Sequence, residues 1–360
     1  MLTLKSRRTD ARLAVVAGFS SLMLVLAACS SSGNSGTSAS PSPSSSSSFT
    51  AVSIVTPATE ADHGWNQMGL KGAKEATTAL GLQLDTLTNV GYDNTQTILT
   101  QAAKKPGVGL VIAHASGFTQ AADKANAATN VPILTVDFPN QQLPGKVGVL
   151  TFSAQQGGYL AGIAAAMNTK SNKIGIAISA DDLNWFTMSG GFVAGARSVN
   201  PKIQIDVAYV GAAAYDDSAG GKKVVQQLIA KGDDVIFGMG DGATIGYIAA
   251  IEAATTPVKY IADIGDVSDL IKNPSQYLTS VLWVFTGADT QAIKDVQAGT
   301  FANKPYNLDL ANGGIALQTT PAMNSATTTA TNTAKAGIIA GTISVPSTTS
   351  KSQLNALLAK

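Results

Sequence analysis

The sequence predicts a two-lobed α/β protein, each lobe a parallel sheet flanked by helices. Three observations carry that expectation. Short runs rich in Val, Ile and Thr alternate with amphipathic stretches, as strand–helix–strand units do. The alternation starts again near residue 156. The ~310 residues that follow a leader and a linker are enough for two lobes with cores of their own.

The leader comes first. Lys5, Arg7, Arg8 and Arg12 precede an apolar stretch over 13–28 that ends in Leu26-Ala27-Ala28-Cys29. Basic, then apolar, then small residues before a cut define a signal peptide over 1–28. A cysteine directly after such a cut is where a lipoprotein carries its diacylglyceryl group. The expected mature chain is held at the extracytoplasmic face of the cell membrane through Cys29, each buried acyl methylene adding about 0.8 kcal/mol of affinity. An ordinary secretory signal or a single spanning helix is the alternative, although the stretch is short for a span of ~20 residues. Cys29 is the sole cysteine, so an intrachain disulfide and any Cys-based site in the folded part are excluded. Residues 29–48 are almost wholly Ser, Gly, Thr, Ala and Pro, too little apolar surface to offset ordering entropy, and are expected to act as a flexible tether.

The first lobe is expected over 49–155. A strand over 49–56 leads to a helix over 66–80, with Met68, Leu70, Ala73, Ala76 and Leu80 near one face. A strand over 82–89, a helix over 95–104, a strand over 108–114, a helix over 121–127 and strands over 132–137 and 147–152 follow. The second lobe, 156–282, opens with a helix over 159–168 and a strand over 173–179. Its next helix, 188–199, ends at Asn200-Pro201, because Pro cannot continue a helix. A strand over 204–210, a helix over 222–231, an apolar strand over 235–238, a helix over 243–253 and strands over 258–264 and 277–283 complete it. A helix over 288–298, a strand over 307–317 and a helix over 322–340 remain. The segment 283–346 is expected to return across the hinge, leaving 347–360 as a tail. Two open α/β units bring two switch-point crevices, which merge into one cleft if the lobes face each other and which hinge motion can close.

Composition narrows the function. The chain is 45% hydrophobic and 13% charged with a net charge of +1, which gives no basic face for nucleic acid. His63 and His114 are too far apart in sequence for the usual zinc-ligand spacing. The turn after the first strand, Pro57-Ala58-Thr59-Glu60, is not the Gly-rich phosphate turn of a dinucleotide-binding enzyme. No nucleophile–base pair stands out, so a binding protein without cofactor or metal is expected, not an enzyme.

Loops at the carboxyl ends of the strands hold the candidate contacts. Asp62, Trp65 and Asn66 precede the first helix: Trp65 offers a stacking face, and Asn66 offers both donor and acceptor. Alternatively Asp62 or Asn66 caps that helix and Trp65 fills core. His114 ends the third strand and Asp137 a later one. Trp185 and Phe186 form a possible second aromatic wall, while Asp181 and Asp182 read as a solvated loop. Tyr215-Asp216-Asp217, another acidic and aromatic loop, reads as a surface turn, with reach into the cleft as the alternative. Gly240 lies in a run with three glycines in five residues, where backbone can approach a ligand closely. Asp263 could accept from two neighbouring hydroxyls.

An ordered set of segments carries a family resemblance. It comprises Tyr159-Leu160-Ala161-Gly162, Gly191-Phe192-Val193-Ala194-Gly195-Ala196 ahead of Val199-Asn200-Pro201, Lys231-Gly232-Asp233-Asp234-Val235-Ile236-Phe237, Tyr277-Leu278-Thr279-Ser280, and the late run from Gly337 to Pro346. From about Val52 to Pro346 the chain resembles the basic membrane protein, or purine nucleoside receptor A-like, family of lipoproteins. The resemblance implies a type I periplasmic binding protein fold and the substrate-binding role of an ABC importer, with a membrane permease as partner. It implies a monomer that closes on a purine nucleoside, with Asn66 contacting the base beside Trp65. Gly240 matches the Gly-rich turn and Asp263, or else Asp266, the ribose-binding Asp. One departure stands out: the family usually carries a Lys where Trp283 stands and an Asp where Thr286 stands. An indole in place of a cation keeps a sugar or another flat polar ligand open, and a lipid-anchored sensor subunit remains the alternative role.

Overall fold

A computed structural model describes residues 48–360. The expected signal peptide, Cys29 and the tether as far as residue 47 lie outside the described residues.

The first lobe is built from β1 (Ala51–Val55), α1 (Trp65–Ala79), β2 (Gln83–Leu87), α2 (Thr95–Ala103), β3 (Val108–Ala113), α3 (Thr119–Thr129), β4 (Ile133–Val136) and β5 (Val147–Phe152). The chain then enters the second lobe with α4 (Ala154–Asn168), β6 (Lys173–Ile178), α5 (Leu183–Val199), β7 (Gln204–Tyr209), α6 (Ser218–Ala230), β8 (Val235–Met239), α7 (Ala243–Glu252), β9 (Lys259–Ile264) and β10 (Tyr277–Trp283). It returns to the first lobe for α8 (Thr286–Gln297), which packs on α1, and β11 (Tyr306–Leu308). It finishes on the second with β12 (Ile315–Leu317), α9 (Ser325–Ile339) and α10 (Lys351–Leu358).

The two sheets have the orders β11-β5-β4-β3-β1-β2 and β12-β10-β9-β8-β6-β7. All pairings are parallel except β10 with β12. The α/β expectation is met. Every residue of β1 and of β8 is buried, whereas the edge strands β2 and β7 are half exposed. Central strands of a parallel sheet are covered on both faces, which is why they read as predominantly apolar runs; the one polar residue of β1, Ser53, is buried and donates to Asp85 on β2. The order reverses between β1 and β3, and again between β6 and β8. Those two switch points put the loops after β1, β3, β6 and β8 at the crevices.

Two sequence expectations need correction. The strand over 307–317 is two strands in different lobes. A turn separates them, in which Asp309 N–H donates to Asn312 Oδ1 and Asn312 N–H to Asp309 Oδ1, with Gly313 at φ +75°. Both halves are apolar, and periodicity does not see that the chain changes sheet between them. The segment after 346 carries α10, whose Leu354 is buried and whose last carbonyls accept from Arg197 on α5.

Helices α4 and α5 pack with almost no gap. A Cβ built on Gly158 or Gly162 would sit inside the carbonyls of Met188 or Phe192, and one on Gly191 or Gly195 inside those of Gln155 or Tyr159. The small-residue pairs that marked the family resemblance are thus a backbone-to-backbone contact.

On α8, Asp289 is buried, and burial raises its carboxyl to about 8. A carboxyl raised in the folded state favours folding below the unfolded pKa, and that contribution is lost as pH rises to the folded one. Between those limits stability falls by about 1.4 kcal/mol per pH unit. Asp289→Asn does not titrate. Its melting temperature relative to wild type is therefore expected to climb between pH 5 and 8 and level off above; a difference constant with pH would refute the assignment.

Candidate functional site

The loop after β1 is fixed by Asp62. Its carboxylate accepts from the backbone N–H of Gly64 (3.1 Å), Asn66 (2.7 Å) and Gln67 (2.9 Å), and from Asn66 Nδ2 (2.7 Å). Four donors saturate it, so Asp62 caps α1 and does not face the cleft. The same bonds hold the Asn66 amide with Nδ2 inward, leaving a buried Oδ1 without a protein partner. Trp65 Nε1 donates to the His114 carbonyl (2.9 Å), His114 Nε2 donates to the Trp65 carbonyl (2.9 Å), and the rings stack at 4.3 Å. Burial lowers His114 to about 4 and keeps it neutral. His114 is thus the scaffold behind Trp65 and not a wall residue. Phe152, Trp283 and Phe285 meet Trp65 edge-on, and Phe152 stacks on Trp283 at 4.8 Å. Trp283 is 1% exposed, and its Nε1 has no protein partner.

In the second lobe Asp182 caps α5, accepting from Asn184 N–H (2.8 Å) and Trp185 N–H (3.2 Å). It is structural and not the solvated loop expected. Tyr215 OH approaches its other oxygen (3.5 Å), and Tyr215 lies against Trp185 with ring centres 5.2 Å apart. Phe186 turns the other way, into the core. Asp263 is buried behind Ile264: Gly240 N–H approaches its Oδ1 (3.4 Å), and its Oδ2 has no partner. Burial pushes this carboxyl well above the usual range. Neither Gly240 nor Asp263 lines the cavity, whereas Ile264, the last residue of β9, does.

Two bonds join the lobes directly. Trp65 N–H donates to Asp241 Oδ1 (3.0 Å), so a carboxylate of one lobe completes the cap of a helix in the other. Asn184 Nδ2 donates to Asp137 Oδ1 (2.9 Å). Desolvation raises Asp137 to about 6, partly offset by Asn184. Asp241 is raised well above the ordinary carboxylate range by burial and by the nearby charge of Asp62, with the Trp65 N–H opposing.

Between these bridges lies a cavity of about 200 Å³. Of the sequence candidates, Trp65, Asn66, Asp137, Trp185 and Trp283 line it, whereas Asp62, His114, Phe186, Gly240 and Asp263 do not. Tyr215 and Asp216, expected first as a surface turn, also line it, as do Tyr92, Asp182, Asn184 and Asp241, which the sequence reading missed. A signal was present: each follows the carboxyl end of β2, β6, β7 or β8. In the 215–217 turn only Asp217 has the surface role expected, capping α6. Among the described residues no group of three or more His, Cys, Asp or Glu could hold a metal, and no helix is long and apolar enough to cross a membrane.

Comparison with known proteins agrees with this architecture. Residues 49–349 match the family described as ABC transporter substrate-binding protein, PnrA-like. Over 137 residues the chain is 35% identical to the ABC transporter nucleoside-binding protein BmpA of Lactococcus lactis subsp. cremoris, covering 38% of this chain and 37% of that protein. It is 28% identical over 208 residues to basic membrane protein A of Borreliella afzelii, covering 56% and 61%. The matches thus span less than two thirds of either relative. A solute-binding protein of an ABC transporter system from Conexibacter woesei superposes with a TM-score of 0.70 at 19% identity, over 83% of this chain and 99% of that one.

Proposed function

Because the chain belongs to the PnrA-like family of ABC transporter substrate-binding proteins, we propose that it captures a purine nucleoside between its lobes and delivers it to a membrane permease. The observation that carries this reading is the cavity itself. Trp65 comes from the first lobe and Trp185, Tyr215 and Trp283 from the second, and two of the lining residues, Asn66 and Trp283, each hold a buried polar atom without a protein partner, Oδ1 and Nε1. Aromatic faces suit a flat ring, and a few oriented polar groups set its pose. The name of the Lactococcus relative supports a nucleoside. Asp137–Asn184 and Asp241–Trp65 act as latches that make closure cooperative with capture. The protein works at the extracytoplasmic face as a monomer anchored through Cys29; incorporation of labelled palmitate that depends on Cys29 tests this part.

The ligand is tested by calorimetric titration of protein stripped by unfolding and refolding. Adenosine, guanosine and inosine are compared with a panel of hexoses and pentoses. At least one nucleoside is expected to bind, and at about 100 times its Kd to stabilise the fold by about 2.7 kcal/mol. Trp185→Ala should weaken that nucleoside by about 1–3 kcal/mol, the worth of stacking on an aromatic ring in other systems. Binding of sugars alone would replace the nucleoside reading with a sugar reading.

A further inference from the structure

The cavity wall carries carboxylates and no basic side chain. Asp137 enters from the first lobe, and Asp182, Asp216 and Asp241 from the second; no residue lining the cavity is Lys, Arg or His. The charges of Asp62 and Asp263 also bear on Asp241 from behind the wall. Five aromatic side chains, Trp65, Tyr92, Trp185, Tyr215 and Trp283, share the same wall. A second, independent feature points to an occupant. Trp283 Nε1 and Asn66 Oδ1 are buried, belong to residues lining the cavity and have no protein partner.

On the reading that this cavity is the capture site, we infer that the captured molecule carries a positive charge. It is a compact organic cation, with an N-alkylated or protonated ring nitrogen or an alkylammonium group, held between carboxylates and aromatic faces. Carboxylates gathered around one small cavity repel one another, most where burial removes the water that would screen them: Asp241 is buried, Asp137 and Asp182 are half-buried, and Asp216 stands exposed at the rim. Protons can relieve that repulsion: burial is the main cause that raises Asp137, Asp182 and Asp241, and neighbouring carboxylates add to it at Asp137 and Asp241. A cation relieves it as well and adds attraction to the ring faces, the combination by which aromatic cages hold quaternary ammonium groups. A neutral ligand gains hydrogen bonds but no Coulomb attraction. A phosphorylated or carboxylate ligand meets uncompensated like charge.

The test uses pairs matched in shape but not in charge, titrated at pH 7 into stripped protein. One pair is choline and 3,3-dimethyl-1-butanol; the other is 1-methyladenosine and adenosine. The cationic member of at least one pair should bind at least about ten-fold more tightly, with the preference shrinking at high salt. Asp216→Asn keeps the acceptor that Gly242 N–H uses at 3.1 Å but removes a rim charge, and should reduce the preference several-fold. Trp283→Lys puts an ammonium in the wall and should abolish it. If neutral members bind as tightly as cationic ones, or the variants weaken both members equally, the charge assignment is wrong while capture in the cleft stands. If choline outbinds its isostere and no nucleoside binds, the charge assignment stands and the nucleoside reading falls. No binding by any of the four probes overturns the inference.

Discussion

Gly64→Val is expected to leave both lobes folded and to weaken ligand capture about ten- to a hundred-fold. A Cβ on Gly64 would overlap Asp241 Oδ1 and lie 3.2 Å from the Asp241 Cα. These residues belong to opposite lobes and meet where the Trp65 N–H reaches Asp241. A side chain there acts as a wedge between the lobes, leaving each lobe's core untouched. Overpacking costs typically 1–3 kcal/mol, and 1.4 kcal/mol is one factor of ten in the closed population. Small-angle scattering should show a more open molecule, and Gly64→Ala should fall between wild type and Val. A Val variant that binds and compacts like wild type would show that this contact does not control closure.

Gly191→Ala is expected to destabilise the second lobe by about 1–3 kcal/mol. Helix propensity alone predicts the opposite sign, since Ala is favoured over Gly in a helix interior by about 1 kcal/mol. The sign reverses because the new methyl has nowhere to go. On α5 it points into the Gln155 carbonyl of α4, and backbone cannot step aside as a side chain would. Gly162→Ala, facing the Phe192 carbonyl from the other helix, should behave alike. Thermal melts check both, at roughly 2–4 °C per kcal/mol for a domain of ~150–250 residues. An unchanged or raised melting temperature would mean that the helices can separate at little cost, and that the close approach is not needed for stability.

The sequence by itself determined the two-sheet α/β architecture and the neighbourhoods of the cleft. Both follow from local periodicity: predominantly apolar runs such as 51–55, interrupted only by Ser53, and 235–239 are expected to be buried on two faces, and their carboxyl ends then fall at the switch points. That was sufficient to bring Trp65, Asn66, Asp137 and Trp185 to the cavity, which Trp283, singled out by the family resemblance, also lines. Only the tertiary structure decided which side of each loop faces the ligand. Asp62 was in the right loop, yet four hydrogen-bond donors turn it toward α1. His114 was at the right strand end, yet the Trp65 ring covers it. Asp241 was passed over among its glycines, and its role depends on the N–H of a residue 176 positions away. The division of 307–317 between two sheets is of the same kind. Periodicity reports whether a residue is buried, because burial follows from the average environment of a helix or strand face. Orientation at a loop is settled by a few directional hydrogen bonds to partners that only the folded chain brings near.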